Sequence, residues 1–346
     1  MKIGKTPKTG GEYLQKHNRD ILKTLFDDVN IVEIPKISVF KHLVNFLLIR
    51  SYGFSNTLKV IIDKAIRDKY AIAFLDSSAY GGYVKYFQKK GLKTVVFCHN
   101  VEYVYYREKF ESNNNPINWV LLHYIHYQEH LSMRYASKVI ALNKRDFKGI
   151  NSYYKRNADM IIPVYHDKIE ESELMLKETG SRYLLFVGAN FYANNEGIGW
   201  FIREVSPFIN ITIYIAGGCC EYIRKTLDVS MYANVTLLGF VSDLDSLYKN
   251  AYGVIGPIFK GSGMKTKTIE ALKYGKSIFA TSEAFEGIDA DFKRIGGLCN
   301  TAKEFINAIN NTSLHQFNKY SYDTFLEKYS TEAVIPMFEK IMSEIE

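Results

Sequence analysis

Twice along the chain, short runs rich in aliphatic and β-branched residues alternate with longer stretches of helical period, and a polar segment separates the two series. The first series predicts strands at residues 30–34, 71–75, 93–98, 138–142 and 160–162, with helices at 12–26, 57–68, 80–90, 117–135 and 144–153. After Pro163, residues 166–180 are polar and carry no buried-strand signal, which suits an interdomain linker with one surface helical turn. The pattern then restarts, with strands at 183–187, 211–216, 235–238, 253–255 and 277–280 and helices near 197–205, 220–227, 244–250 and 266–274. Alternation of this kind builds parallel sheets covered by helices on both faces.

The fold class expected is therefore α/β, with two Rossmann-like doubly wound domains at residues 1–165 and 166–330. A last helix at 332–345 has Val334, Met337, Phe338, Ile341 and Ile345 on one stripe, so residues 331–346 are expected to pack back on the first domain. Ligands of doubly wound sheets bind beyond the carboxyl ends of the strands, which places the expected site in a cleft between the two domains.

Charge is divided unevenly. Residues 1–170 hold 27 Lys+Arg against 16 Asp+Glu, a balance of +11, whereas the formal charge of the whole chain is +7, leaving −4 for the remainder. A basic half can attract nucleic acid, an anionic membrane surface or a phosphate-bearing substrate, or it can simply keep the surface soluble. No nucleic-acid module accompanies the charge, so no nucleic-acid partner is expected. No run approaches the roughly 20 apolar residues that a membrane span needs, and the first residues lack a secretory apolar region, which predicts a cytoplasmic protein. Cys98, Cys219, Cys220 and Cys299 show no paired spacing and read as reduced thiols.

Chemistry concentrates at residues 257–281, where a strand leads through Gly261-Ser-Gly263 into a helix. Glycines let free backbone N–H groups approach an anion at a helix N-terminus. Lys265 and Lys267 then place cations in a first turn where the helix dipole disfavours them, which an external anion would explain. Glu270, one turn on, suits the vicinal hydroxyls of a ribose. A plain glycine turn before a surface helix is the bland alternative.

The string Gly261-Ser-Gly-Met-Lys-Thr-Lys-Thr-Ile-Glu-Ala-Leu, followed by Gly275-Lys-Ser-Ile-Phe-Ala-Thr and Ala284-Phe-Glu-Gly-Ile, resembles the donor-binding signature of GT4-type glycosyltransferases of the GT-B fold, as found among bacterial surface-polysaccharide enzymes. Further matches are Thr9-Gly-Gly-Glu12, His99-Asn-Val-Glu102, Leu185-Phe-Val-Gly188 and Gly239-Phe-Val-Ser-Asp243. The resemblance implies two domains facing across a cleft. It implies that Gly188, Phe240, Val241, Gly261, Ser262, Gly263, Met264, Lys265, Thr266, Lys267 and Glu270 bind the donor, with Glu270 on the ribose, the lysines on the diphosphate and 239–241 by the nucleobase. His99, Gly11 and Glu102 would be catalytic, and Gly10 and Tyr103 would lie on the acceptor side. The implied reaction is retaining transfer from a nucleotide diphosphate sugar to a glycan or lipid-linked acceptor, with no metal or other cofactor, and with peripheral contact at the inner face of the membrane through the basic half. A departing diphosphate can be stabilised by lysines and a helix N-terminus alone.

Two departures from that family stand out. Ser262 occupies the place of a frequent acidic residue eight positions before Glu270, and residues 187–197 lack the Arg and Lys that usually follow the second domain's first strand. A nucleotide-sugar epimerase or hydrolase, or a catalytically silent glycosyltransferase-like subunit, would share the same cradle. A dehydrogenase is disfavoured, since no GxGxxG follows the first strand.

Three other signals are discounted. Asp243-Leu-Asp245 reads as a helix cap rather than a metal pair. His123, His126 and His130 share a helical face, but no third ligand or HExxH glutamate accompanies them. Residues 36–52 mix apolar and basic side chains, which suits either a core helix, the preferred reading, or a membrane-interface helix.

Overall fold

The computed structural model describes residues 10–34, 38–51, 53–68, 70–175, 182–261 and 263–345. The chain divides into two compact units, Met1–Pro163 with Ile335–Glu346, and Val164–Val334.

In the first unit, β1 (Ile72–Leu75), β2 (Lys93–Phe97), β3 (Lys138–Ala141) and β4 (Met160–Ile161) form a parallel sheet in chain order. Its helices are α1 (Gly10–Leu25), α2 (Val39–Leu47), α3 (Asn56–Arg67), α4 (Gly81–Lys89), α5 (Glu102–Ser112), α6 (Pro116–Tyr135) and α7 (Lys144–Tyr154). Val95, Val96, Val139 and Ile140 are wholly inaccessible, as strands covered on both faces require. On one face the core joins Val96 and Val139 to Leu58 and Ile62 of α3, Val84 of α4, Met133 of α6 and Ile150 of α7.

Residues 30–34 form no strand, contrary to the sequence reading, and pair with none among the described residues. Val32 and Ile34 pack on the core while Ile31 and Glu33 face solvent. An alternating pattern reports one-sided burial, and it does not require a ladder partner. The core reading of 36–52 also fails: α2 is a helix, but Phe40, Leu47, Leu48 and Ile49 are exposed. Lys36, Ile37 and Tyr52 of that segment lie outside the described residues.

In the second unit, β5 (Tyr183–Val187), β6 (Thr212–Ala216), β7 (Val235–Gly239), β8 (Gly253–Gly256), β9 (Ser277–Ala280) and β10 (Gly296–Leu298) pair in the order β10-β9-β8-β5-β6-β7, all parallel. Its helices are α8 (Glu171–Leu174), α9 (Tyr192–Glu204), α10 (Cys219–Thr226), α11 (Leu244–Asn250), α12 (Thr266–Lys273), α13 (Phe292–Ile295), α14 (Ala302–Asn311) and α15 (Lys319–Lys328). From β5 the chain winds outward through β6 and β7, then returns to build β8, β9 and β10 on the other side. The crossover connections after β5 and β8 therefore part from one another, and their carboxyl ends open a crevice at this switch point.

The final helix, α16 (Thr331–Ser343), passes into the first unit at Ile335. There Phe338 stacks on Phe97 at 6.2 Å and meets Phe74 at 6.4 Å, and Glu344 pairs with Lys138 at 2.7 Å.

Candidate functional site

In the second unit the glycine-rich turn and the lysines gather at the switch point. Gly261 and Gly263 have φ of 131° and 71°, a region that side chains other than glycine rarely adopt, so the backbone can turn sharply into α12. Lys265 at its N-cap makes no side-chain capping bond, and Thr268 N donates to Lys265 O at 2.9 Å, which leaves the N–H groups of Thr266 and Lys267 to face an anion. Ser262 itself lies outside the described residues.

Lys267, in the first turn of α12 after β8, donates from Nζ to Asn194 Oδ1 at 2.6 Å, on α9 after β5. This hydrogen bond spans the crevice. The ammonium also sits 4.6 Å from the centre of the Phe186 ring. Burial, with the neighbouring Lys265 cation, lowers its pKa to about 8. A poorly hydrated cation beside an uncapped helix end is a receptor for negative charge.

Lys265 is differently placed. Its Nζ lies 2.7 Å from Glu283 Oε1 and donates to Gly263 O at 2.8 Å, so its charge is matched within the protein. The expectation that both lysines carry the diphosphate is thereby shifted onto Lys267. Glu283 belongs to the loop after β9, which braces the cradle further. Thr268 Oγ1 donates to Ala284 O at 2.8 Å, and buried Met264 fills the space that a side chain at Gly287 would occupy. Thr266 opens α12 between the two lysines.

One turn along, Glu270 is half-buried, and burial raises its pKa against the opposing pull of Lys273 and the Tyr248 hydroxyl. Gly188 directly follows β5, where a side chain would strike Phe186. Gly217, at φ 101°, lets the loop after β6 approach Gly188, since a Cβ there would come within 2.4 Å of Gly188 O. Gly217 N in turn donates to Gly239 O at 2.6 Å, which links the ends of β6 and β7. Just beyond, Phe240 is 91% exposed and Val241 is half-buried. A bare aromatic ring at a strand's carboxyl end is suited to stacking on a flat ligand.

In the first unit, His99 follows β2 and its Nε2 lies 2.7 Å from Oδ1 of Asp76, which follows β1. The sequence reading did not single out Asp76. Burial draws the His99 pKa down, but Asp76 and then Glu102 outweigh it, and the net shift is upward. Gly10 and Gly11 begin α1, and among the described residues no atom lies within 4 Å of the Cβ position of Gly11. Thr9 lies outside the described residues.

Glu102 opens α5 and has its pKa raised to about 7, first by burial and then by the Glu129 carboxylate. Glu129 of α6 is wholly buried, yet it accepts from Glu102 N (2.9 Å), Tyr103 N (3.0 Å), Ser78 Oγ (2.7 Å) and Tyr154 Oη (2.5 Å). Four donors compensate its burial, and two of them are the orphan N–H groups of α5. Tyr103 packs its ring on His126 at 4.4 Å and on the edge of Tyr153 at 5.1 Å, so it is held by aromatic neighbours.

Of the discounted signals, Asp243 caps α11 by accepting from Ser246 N at 3.0 Å, and Asp245 accepts from the Tyr274 hydroxyl. His126 and His130 lie against the Tyr154 ring and His123 against Trp119. All four cysteines are free and buried.

Residues 181–313 match the family model of glycosyl transferases group 1. Along 318 residues the chain is 24% identical to an uncharacterized 44.6 kDa protein of the cps region of Klebsiella pneumoniae, covering 86% of this chain and 79% of that one. Among solved structures it is similar to Anabaena HepE in complex with UDP, with a TM-score of 0.65 at 14% identity over 98% of this chain and 97% of that one. It is also similar to sucrose-phosphate synthase from Thermosynechococcus elongatus, with a TM-score of 0.64 at 14% identity over 96% and 92%. The pneumococcal O-GlcNAc transferase GtfA matches with a TM-score of 0.56 at 14% identity over 82% of this chain, which spans 59% of GtfA's length. The fold is thus that of the GT-B glycosyltransferases.

Proposed function

We propose that the chain, whose residues 181–313 match the family model of glycosyl transferases group 1 and whose fold is that of the GT-B enzymes, is a glycosyltransferase that transfers a sugar from a nucleotide diphosphate donor held by the second unit. One observation carries the reading. Lys267 is a partly desolvated cation at the switch point, beside the uncapped N-terminus of α12 and one turn from Glu270.

In this reading the diphosphate lies against the first turn of α12 and draws the Lys267 ammonium from Asn194. Glu270 takes the ribose hydroxyls, and Phe240 with Val241 borders the base. The UDP named in the HepE structure makes UDP the first nucleotide to test. As the glycosidic bond breaks, charge grows on the departing phosphate, and Lys267 and the helix end are already aimed at it. That stabilisation suffices without a metal. The account further takes transfer to be retaining, with a phosphate oxygen of the donor accepting the proton of the attacking hydroxyl.

His99, with Glu102 and the Gly10-Gly11 helix start, serves the sugar and acceptor side. The acceptor proposed is a glycan or a lipid-linked glycan of a surface polysaccharide, which agrees with the cps-region relative. A lipid-linked acceptor would place the enzyme at the inner face of the membrane. Incubating the protein with UDP-sugars and lipid-linked or free oligosaccharides, in chelator, tests the reading by product mass and anomeric configuration. Transfer that needs added Mg²⁺ or Mn²⁺ contradicts the metal-free step. UDP binding with no transfer to any acceptor would leave a nucleotide-binding subunit instead.

A further inference from the structure

α2 presents its apolar stripe outward. Phe40, Val44, Leu47 and Leu48 follow the i, i+4, i+7, i+8 spacing of one helical face, and Phe40 (72%), Leu47 (67%) and Leu48 (55%) are among the most exposed apolar residues of the first unit. The opposite side is the one that packs. Phe46 meets the edge of Tyr124 on α6 at 5.5 Å, and buried Asn45 donates to Phe54 O at 3.0 Å. Backbone carbonyls are tied down as well, since Tyr124 Oη and Gln128 Nε2 both donate to Arg50 O. Among the described side chains, Asn45 and Phe46 therefore anchor the helix while Phe40, Leu47 and Leu48 stay exposed.

The turn that ends α2 adds a second oddity. Ile49 has φ 52°, the left-handed position that helices usually close with glycine or asparagine. A β-branched residue there works against its own backbone preference. Ile49 gains little burial in return, because it is 58% exposed. An aliphatic residue kept in a strained conformation and in water has its reward in something outside the molecule.

Charge says what. Between residues 38 and 54 the chain has Lys41 and Arg50 and not one carboxylate, within a first half of net +11, while the next cation, Lys59, is paired with Asp63 at 3.3 Å. Lys41 and Arg50 are exposed beside the aliphatic residues. A second copy of this face would set these cations against their own kind, so self-association is disfavoured. Arg50 rests over the Phe54 ring at 5.0 Å and has no carboxylate beside it in sequence, and apolar side chains interleaved with exposed cations match the boundary of an anionic bilayer, where acyl chains and lipid phosphates lie within a few ångströms of each other.

We propose that α2 and its terminal turn dock on an anionic lipid surface, with Phe40, Leu47, Leu48 and Ile49 entering the headgroup boundary and Lys41 and Arg50 meeting lipid phosphates. Nothing in this docking needs a donor or an acceptor, so it can fail while the transferase reading stands, and the reverse.

The test is co-sedimentation of the whole chain with vesicles of phosphatidylcholine, alone or doped with phosphatidylglycerol. Wild type should bind the doped vesicles and largely ignore the neutral ones, and added salt should release it. Lys41→Glu with Arg50→Glu should weaken binding at least about tenfold, as removal of two cations near a charged surface implies. Leu47→Ser with Leu48→Ser should weaken it by a similar factor. Ile49→Gly supplies the control for folding, since it relieves the backbone and should melt no lower than wild type while binding several-fold less. Wild type that ignores doped vesicles, folded variants that bind as wild type does, or a dimer that the Leu47→Ser, Leu48→Ser variant splits would each overturn the proposal.

Discussion

His99 Nε2 and Asp76 Oδ1 stand 2.7 Å apart, and the same carboxylate oxygen accepts from Asn18 Nδ2 at 2.9 Å. Gln15 Nε2 reaches Asp76 O at 3.4 Å. Asp76 thus ties the imidazole after β2 to α1, the helix that begins at Gly10. Asp76→Asn keeps the shape and removes the charge. The His99 titration followed by NMR should shift to lower pH, and turnover should fall at least about tenfold if the oriented imidazole serves as an acid or base. Because the folded pKa is raised, the pair's stabilisation is complete below the ordinary His value and is lost as pH rises through the folded one. The variant should therefore lose more stability at about pH 5 than at about pH 8. An unmoved titration contradicts the pairing.

Glu102 gives an opposite kind of pH signature for a carboxylate. Its pKa is raised from 4.5 to about 7, so between those values the native state holds a proton that the unfolded chain has released. Stability from this group falls as pH rises across that window, by up to about 3 kcal/mol. Denaturant titrations of Glu102→Gln should show a flatter dependence than wild type between about pH 4.5 and 7. Identical slopes would show that Glu102 is ordinarily ionised.

Much of the second unit was legible in the sequence because its elements are locally signed. β5, β9 and α11 fall on the residues expected, since buried aliphatic runs mark the strands and Asp243 marks the helix start. The Gly-rich turn and α12 were equally readable. What escaped depends on partners far along the chain. α5 has no apolar period, and its first N–H groups are satisfied by Glu129, 26 and 27 residues away. Asp76 gained meaning only when the parallel register of β1 and β2 brought it to His99, and Lys265 only when the loop after β9 delivered Glu283. Which side of α2 faces inward was undecidable from composition, because Phe46 and Phe40 are the same residue type on opposite faces.

Lys267 should take up a proton when a diphosphate binds. Its free pKa of about 8 is set by burial, and a bound anion restores the ammonium. Nucleotide affinity should then weaken as pH rises above about 8, by at most about tenfold per pH unit. Calorimetry at that pH in buffers of differing ionisation enthalpy reads the uptake directly. Heats independent of the buffer would mean that Lys267 does not meet the anion.

Ile49→Gly should stabilise the protein by about 1 kcal/mol, the cost of holding a side chain in left-handed backbone. Thermal unfolding in the absence of lipid measures it. A lower melting temperature would show that Ile49 contributes packing that outweighs its strain.

The central claim is that the crevice between β5 and β8 holds a nucleotide diphosphate, and calorimetric titration of UDP into wild type, Lys267→Ala and Glu270→Gln tests it most directly. Wild type should bind, and each variant should lose about ten- to a hundredfold in affinity, as loss of a charged hydrogen-bonding group implies. Folded variants that bind UDP as tightly as wild type would contradict the account.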